Sequence, residues 1–97
     1  MSSDLLAGKT AIVTGGGTLF GAIVTRTLIA DGAKVLIVEI NQESGAKAAA
    51  DCGPNAIFFH GDITDDLAIA KLIKVAIDTW GRIDILVNLA CSYDDAG

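Results

Sequence analysis

The sequence predicts an α/β fold, an open all-parallel sheet built in the order βαβαβαβ, and three observations predict it. Four short runs, residues 10–14, 34–39, 56–59 and 83–89, are β-branched or nearly continuous in apolar residues, as strands covered on both faces by helices must be. Between them apolar residues recur at intervals of three and four, the period of a helix packed along one stripe. Glycine follows each helical stretch, at Gly32, Gly53 and Gly81, where a helix terminates without a Cβ penalty. Strands that alternate with helices at this spacing form a parallel sheet with right-handed crossovers.

The elements follow in order. Thr10-Ala11-Ile12-Val13-Thr14 is a buried strand closed by Gly15-Gly16-Gly17, a tight turn that feeds a helix. Over residues 20–31 the apolar stripe comprises Phe20, Ile23, Val24, Thr27 and Leu28. Lys34-Val35-Leu36-Ile37-Val38-Glu39 shows no polar alternation and is the second strand. Asn41 caps a helix that runs through the alanine-rich residues 46–51 and is stopped by Gly53-Pro54 before the third strand, Ala56-Ile57-Phe58-Phe59. After Gly61-Asp62-Ile63, Thr64 or Asp65 caps a long helix with Leu67, Ile69, Ala70, Ile73, Ala76, Ile77 and Trp80 on or near one face. Gly81 ends it, residues 83–89 form the fourth strand, and residues 91–97 are polar and turn-forming.

Composition narrows the function. A chain of 97 residues is one domain and no more, and 52% hydrophobic against 20% charged residues excludes a disordered reading. The net charge of −5, with seven scattered Lys and Arg, excludes nucleic acid as a partner, because phosphate neutralisation needs a clustered basic face. No apolar run approaches the roughly 20 residues that span a bilayer, so no membrane association is expected. Asp4 stands where a secretory signal would carry positive charge, and a cytoplasmic location is expected. Cys52, Cys91 and the single histidine, His60, share no ligand spacing, which predicts neither a metal site nor a disulfide framework.

The chemistry concentrates in the glycine turn. A strand, a glycine turn and a helix start form an anion site, because backbone N–H groups and the helix dipole favour negative charge there. Gly15, Gly16 and Gly17 admit positive φ and clear the approach of a pyrophosphate, and Gly21 lets the helix pack closely on the first strand. No Gly-Lys-Ser or Gly-Lys-Thr follows, which excludes a nucleoside-triphosphate P-loop. Phe20 occupies the last glycine position of a strict G-x-G-x-x-G, so the turn alone does not specify its ligand. Glu39 does more. It ends the second strand 24 positions after Gly15, near the spacing of about 20 at which a carboxylate accepts a ribose 2′-hydroxyl. It would repel a 2′-phosphate, and neither Gly16, Gly17, Thr18 nor Ile40 supplies a compensating cation, so NAD is preferred over NADP.

Thr14-Gly15-Gly16-Gly17-Thr18-Leu19-Phe20-Gly21, Gly61-Asp62-Ile63-Thr64-Asp65 and Ile83-Asp84-Ile85-Leu86-Val87-Asn88-Leu89-Ala90-Cys91 together resemble the short-chain dehydrogenase/reductase family. The resemblance covers essentially the whole chain and implies a Rossmann-type, doubly wound parallel sheet. Residues 1–97 would be the N-terminal, NAD-binding part of a larger domain. It implies cofactor binding by Gly15, Gly17, Thr18, Phe20, Gly21, Glu39 and Ile40, with Asp62 and Ile63 flanking adenine and Asn88 and Ala90 beside the cofactor and steadying the sheet. It further implies hydride transfer to or from a small alcohol or ketone, and a homo-oligomer when intact. The family's serine and Tyr-x-x-x-Lys pair have no counterpart, since Gly97 stands four positions after Tyr93. No catalytic residue is therefore assigned. Leu19 replaces the middle glycine of the first motif, and Leu89 and Cys91 replace an asparagine and a glycine of the last. A short non-catalytic nucleotide-binding module and an S-adenosylmethionine-dependent methyltransferase domain are the alternatives.

Overall fold

The computed structural model describes residues 4–90. Cys91, Tyr93 and the rest of the polar tail lie outside the described residues. The elements are β1 (Thr10–Thr14), α1 (Leu19–Ala30), β2 (Lys34–Glu39), α2 (Gln42–Cys52), β3 (Ala56–His60), α3 (Asp66–Trp80) and β4 (Ile85–Asn88). The four strands form one sheet in the order β3-β2-β1-β4. Every pairing is parallel, with Val13 opposite both Ile37 and Val87. The sheet is thus the doubly wound α/β arrangement expected, and the order reverses direction between β1 and β4.

The two central strands are buried, apart from Lys34 at the start of β2, because helices cover both faces. On one face Ala11, Val13, Val35, Ile37 and Ala48 form a core against which Val24, Leu28 and Ile29 of α1 and Phe58 of β3 pack. On the other, Ile12, Leu36 and Val38 meet Leu72 and Ala76 of α3, with Val75 and Trp80 alongside. Local chemistry sets the helix ends. Asn41 Oδ1 accepts from the Ser44 N–H at 2.9 Å, and Asp65, not Thr64, caps α3 by accepting from the Leu67 N–H at 3.0 Å. Gly81 ends α3 with φ +77°.

Three expectations need correction. The buried side of α1 is Gly21 and Thr25, with Val24, Leu28 and Ile29 half-buried, whereas Phe20 and Ile23 face outward. Val24 and Leu28 of the predicted stripe do pack on the sheet, but the fully buried positions of α1 are the small Gly21 and Thr25, which an apolar period does not register. The packed side of α3 is likewise Leu72, Val75 and Ala76, while Leu67, Ile69, Ile73 and Ile77 are exposed. β4 is shorter than residues 83–89, because Asp84 acts as a tie before the ladder begins. Its carboxylate accepts from the Thr10 N–H at 2.9 Å and its own N–H donates to the Thr10 carbonyl at 3.0 Å. The Arg82 guanidinium, 2.7 Å away, and then the Thr10 N–H hold this carboxyl below the usual range.

Candidate nucleotide-binding site

The residues singled out from the sequence gather at the carboxyl ends of the four strands, the edge at which ligands bind in open parallel sheets. The glycine turn joins β1 to α1. Only Gly15 uses positive φ, at +73°, and a Cβ there would come within 2.9 Å of the Ala90 nitrogen. Gly16 and Gly17 are needed for space instead of for φ. A Cβ would lie 2.7 Å from Ile37 Cγ2 at Gly16 and 2.6 Å from Glu39 Cγ at Gly17. Gly21 packs on the turn itself, where a Cβ would run into the Gly15 carbonyl oxygen and the Gly16 backbone. Leu19 opens α1 in ordinary helical geometry, as no non-glycine residue has positive φ among the described residues.

The turn's own donors are largely spoken for. The Gly15 and Gly16 N–H groups donate to the Val38 carbonyl at 2.8 and 3.3 Å, and the Thr18 N–H donates to the Gly15 carbonyl at 3.2 Å. The Gly17 N–H donates to Glu39 Oε1 at 3.1 Å. Thr18 caps the helix, its Oγ1 accepting from the Gly21 N–H at 3.0 Å and donating to the Gly15 carbonyl at 2.8 Å. First-turn N–H groups have no intrahelical partner, so those of Leu19 and Phe20 are the donors at the mouth of the turn. Phe20 was foreseen as a site residue. Leu19 was missed, because its side chain drew the argument whereas the group it places at the helix start is its backbone N–H.

Glu39 ends β2 and is only 7% exposed. Besides Gly17, its carboxylate accepts from the Asn41 N–H at 3.1 Å through Oε2. Each oxygen keeps lone-pair capacity for a further donor. Ile40 follows, exposed, with its carbonyl 2.9 Å from His60 Nε2. After β3, the Gly61 N–H donates to the Glu39 carbonyl at 3.2 Å, which brings the Asp62 loop beside the end of β2. Asp62 Oδ1 accepts from the Thr64 N–H and hydroxyl at 2.9 and 2.8 Å. Those bonds, the backbone one foremost, hold its carboxyl below the usual range. Ile63 is half-buried among the residues packed under α3.

At the end of β4, Asn88 Oδ1 accepts from the Thr14 hydroxyl at 2.6 Å, and the Leu89 N–H donates to the Thr14 carbonyl at 3.0 Å. Ala90 sits directly against Gly15. Hydrogen bonds and close packing therefore join Gly15, Gly17, Thr18, Gly21, Glu39, Asn88 and Ala90 into one unit. Among the described residues Asp62 is attached to it through the Gly61 backbone, and the side chains of Phe20 and Ile40 are exposed at its rim. Missed from the sequence, besides Leu19, were Ser44 and Gly45: a Cβ at Gly17 would lie 2.9 Å from Ser44 Oγ and from the Gly45 nitrogen. The small residues of α2 carried no motif signal. The arrangement offers two backbone donors at a helix start, clearance over three glycines and a carboxylate at the next strand end, which suits a nucleotide diphosphate. Among the described residues no group of three or more His, Cys, Asp and Glu could hold a metal ion.

A family model for short chain dehydrogenases matches residues 9–96. The chain is 39% identical over 89 residues to a sorbitol dehydrogenase of Cereibacter sphaeroides, covering 92% of this chain and 35% of that protein. It is 35% identical over 86 residues to momilactone A synthase of Oryza sativa subsp. japonica, covering 88% of this chain and 31% of the relative. Among solved structures, a 3-ketoacyl-(acyl-carrier-protein) reductase from Brucella melitensis complexed with NADH superposes with a TM-score of 0.77 at 32% identity, covering 84% of this chain and 34% of that one. The chain thus spans about a third of the length of the relatives it matches.

Proposed function

The chain belongs to the short-chain dehydrogenase family, and from that premise we propose that it is the cofactor-binding portion of an oxidoreductase that uses NAD in preference to NADP. The observation that carries the preference is the Glu39 carboxylate, buried at the end of β2 and tied to Gly17. A ribose 2′-hydroxyl donates to such a group, whereas a 2′-phosphate would meet its charge. The cations of the two neighbouring helices do not offset it. Arg26 of α1 and Lys47 of α2 both act on Asp51, at the far end of α2.

When bound, the nicotinamide supplies hydride exchange with the carbon of an alcohol or carbonyl. This chain's residues bind and orient. The Leu19 and Phe20 N–H groups receive the diphosphate, Glu39 receives the ribose, Asp62 and Ile63 flank adenine, and Asn88 and Ala90 steady the floor beside β1. Proton transfer is assigned to sequence outside these residues, in the intact protein. The same reading carries a small alcohol or ketone as substrate class, a cytoplasmic location and a homo-oligomeric intact protein. Among the described residues no helix is long and apolar enough to cross a membrane. Family membership displaces the methyltransferase alternative.

Isothermal titration of the intact protein with NAD and NADP tests the preference. NAD is expected to bind at least about tenfold more tightly, equivalent to about 1.4 kcal/mol of like-charge cost. Equal affinities, or tighter NADP binding, would reject it.

A further inference from the structure

Beyond contact with a ribose, we propose that Glu39 is a positioning residue that clasps the glycine turn in the shape the diphosphate needs. The proposal rests on the nucleotide reading above and deepens it. The turn hangs from β2 at two points. Its first half is held by backbone, through the Gly15 and Gly16 N–H groups on the Val38 carbonyl. Its second half is tied to β2 by a side chain, through the Gly17 N–H on Glu39 Oε1 at 3.1 Å. The other oxygen, Oε2, takes the Asn41 N–H at 3.1 Å, and Asn41 is the residue that caps α2. One carboxylate therefore joins the entry of α1 to the entry of α2.

Two further features make this a clasp and not an incidental contact. Glu39 is 7% exposed, so water does not readily replace it as acceptor, and bonds to an ionised acceptor are the stronger kind. The seat is also shaped for it. Gly17 approaches so closely that a Cβ would lie 2.6 Å from Glu39 Cγ and 2.9 Å from both Ser44 Oγ and the Gly45 nitrogen. Without the carboxylate, the Gly17 N–H loses its acceptor, and the segment that leads into the Leu19 and Phe20 donors is left with the Thr18 bonds to the Gly15 carbonyl, which lie within the turn and do not anchor it to β2. Loss of Glu39 thus weakens the diphosphate end of the site as well as the ribose end, and cofactor preference cannot be altered at this position without cost to both cofactors.

The test separates the two roles with Glu39→Ala and Glu39→Gln in the intact protein. Without nucleotide, hydrogen exchange at the Gly17 amide, followed by NMR, is expected to quicken about tenfold in Glu39→Ala and to be largely restored in Glu39→Gln, whose carbonyl oxygen can still accept. The amides of Val35 and Ile37 in β2 serve as the control for global unfolding and are expected to keep their protection. Binding of ADP and of 2′,3′-dideoxy-ADP is then compared. A clasp predicts that Glu39→Ala weakens both by several-fold, because the dideoxy probe still needs the turn. Unchanged Gly17 exchange, or loss of ADP affinity with dideoxy-ADP affinity intact, would overturn the proposal and leave Glu39 a ribose ligand only. Failure of the unaltered protein to bind NAD would reject the function proposed above, while the Gly17 amide would still decide the clasp.

Discussion

The sheet face under α1 and α2 is closed, whereas the face under α3 carries an open groove of about 400 Å³ between α3 and β4, lined by Ile12, Ile69, Leu72, Ile73, Ile83 and Leu86 among others. Small residues close the first face. Gly21 packs α1 on the glycine turn, Gly45 packs α2 so tightly on the Phe58 ring that no Cβ would fit, and Ala48 completes the layer. On the second face a single helix covers β2 and part of β1, leaving Leu86 of β4 66% exposed. A right-handed crossover from β4 to a further parallel strand would run over this groove. The nucleotide cradle accordingly rests on the part of the molecule whose packing is complete, where glycines must hold their places to within tenths of an ångström.

The largest expected contrast sets one face against the other. In the 97-residue chain, Ile37→Ala is expected to lower unfolding free energy by about 3 kcal/mol, since Ile37 is fully buried and supports Gly16. Leu86→Ala should cost less than about 0.5 kcal/mol, because a side chain already in solvent leaves no cavity. Urea denaturation measures both, and similar losses would erase the distinction between the faces.

A smaller effect probes the closed face for imperfection. Thr25 of α1 is fully buried, and its hydroxyl has no hydrogen-bond partner among the described residues. Thr25→Val keeps the shape and removes the unsatisfied group, so it should raise stability by about 1 kcal/mol by the same measurement. A loss of stability would mean that the hydroxyl is satisfied in solution.

The smallest concerns the strand on the open side. Asp84 binds the Thr10 N–H and Arg82 where β4 meets β1, and its carboxyl is held below its ordinary value. Its stabilisation is present above the unfolded carboxylate pKa of about 3.9 and is lost as pH falls through the lower folded value. Asp84→Asn should therefore reduce stability at neutral pH and shallow its decline below about pH 4. Thermal melts across that range give the comparison, and an unchanged acid limb would remove Asp84 as the tie.

Much of this was legible in advance. The number, type and sequence of elements could be read because uninterrupted apolar runs, three- and four-residue spacing and helix-ending glycines are properties of each segment alone. Glu39 was legible for a similar reason: its distance from Gly15 along the chain is that of one crossover unit. The orientation of α1 was not, because Phe20 and Ile23 look like a core stripe until the small side of the helix is seen against the turn. Nor were the roles of Gly16 and Gly17, which are required by neighbours as distant in sequence as Ile37, Glu39 and Gly45.

By itself, then, the sequence determined the alternation of strands and helices, the position of the glycine turn and the acid that faces it, all consequences of local backbone geometry and spacing. Only the tertiary structure decided the order β3-β2-β1-β4, the capture of the Gly17 N–H by Glu39 and the Thr14 hydroxyl bond to Asn88. These depend on which distant segments share a sheet, and a hydrogen bond made across 22 or 74 residues leaves no periodicity along the chain to be read.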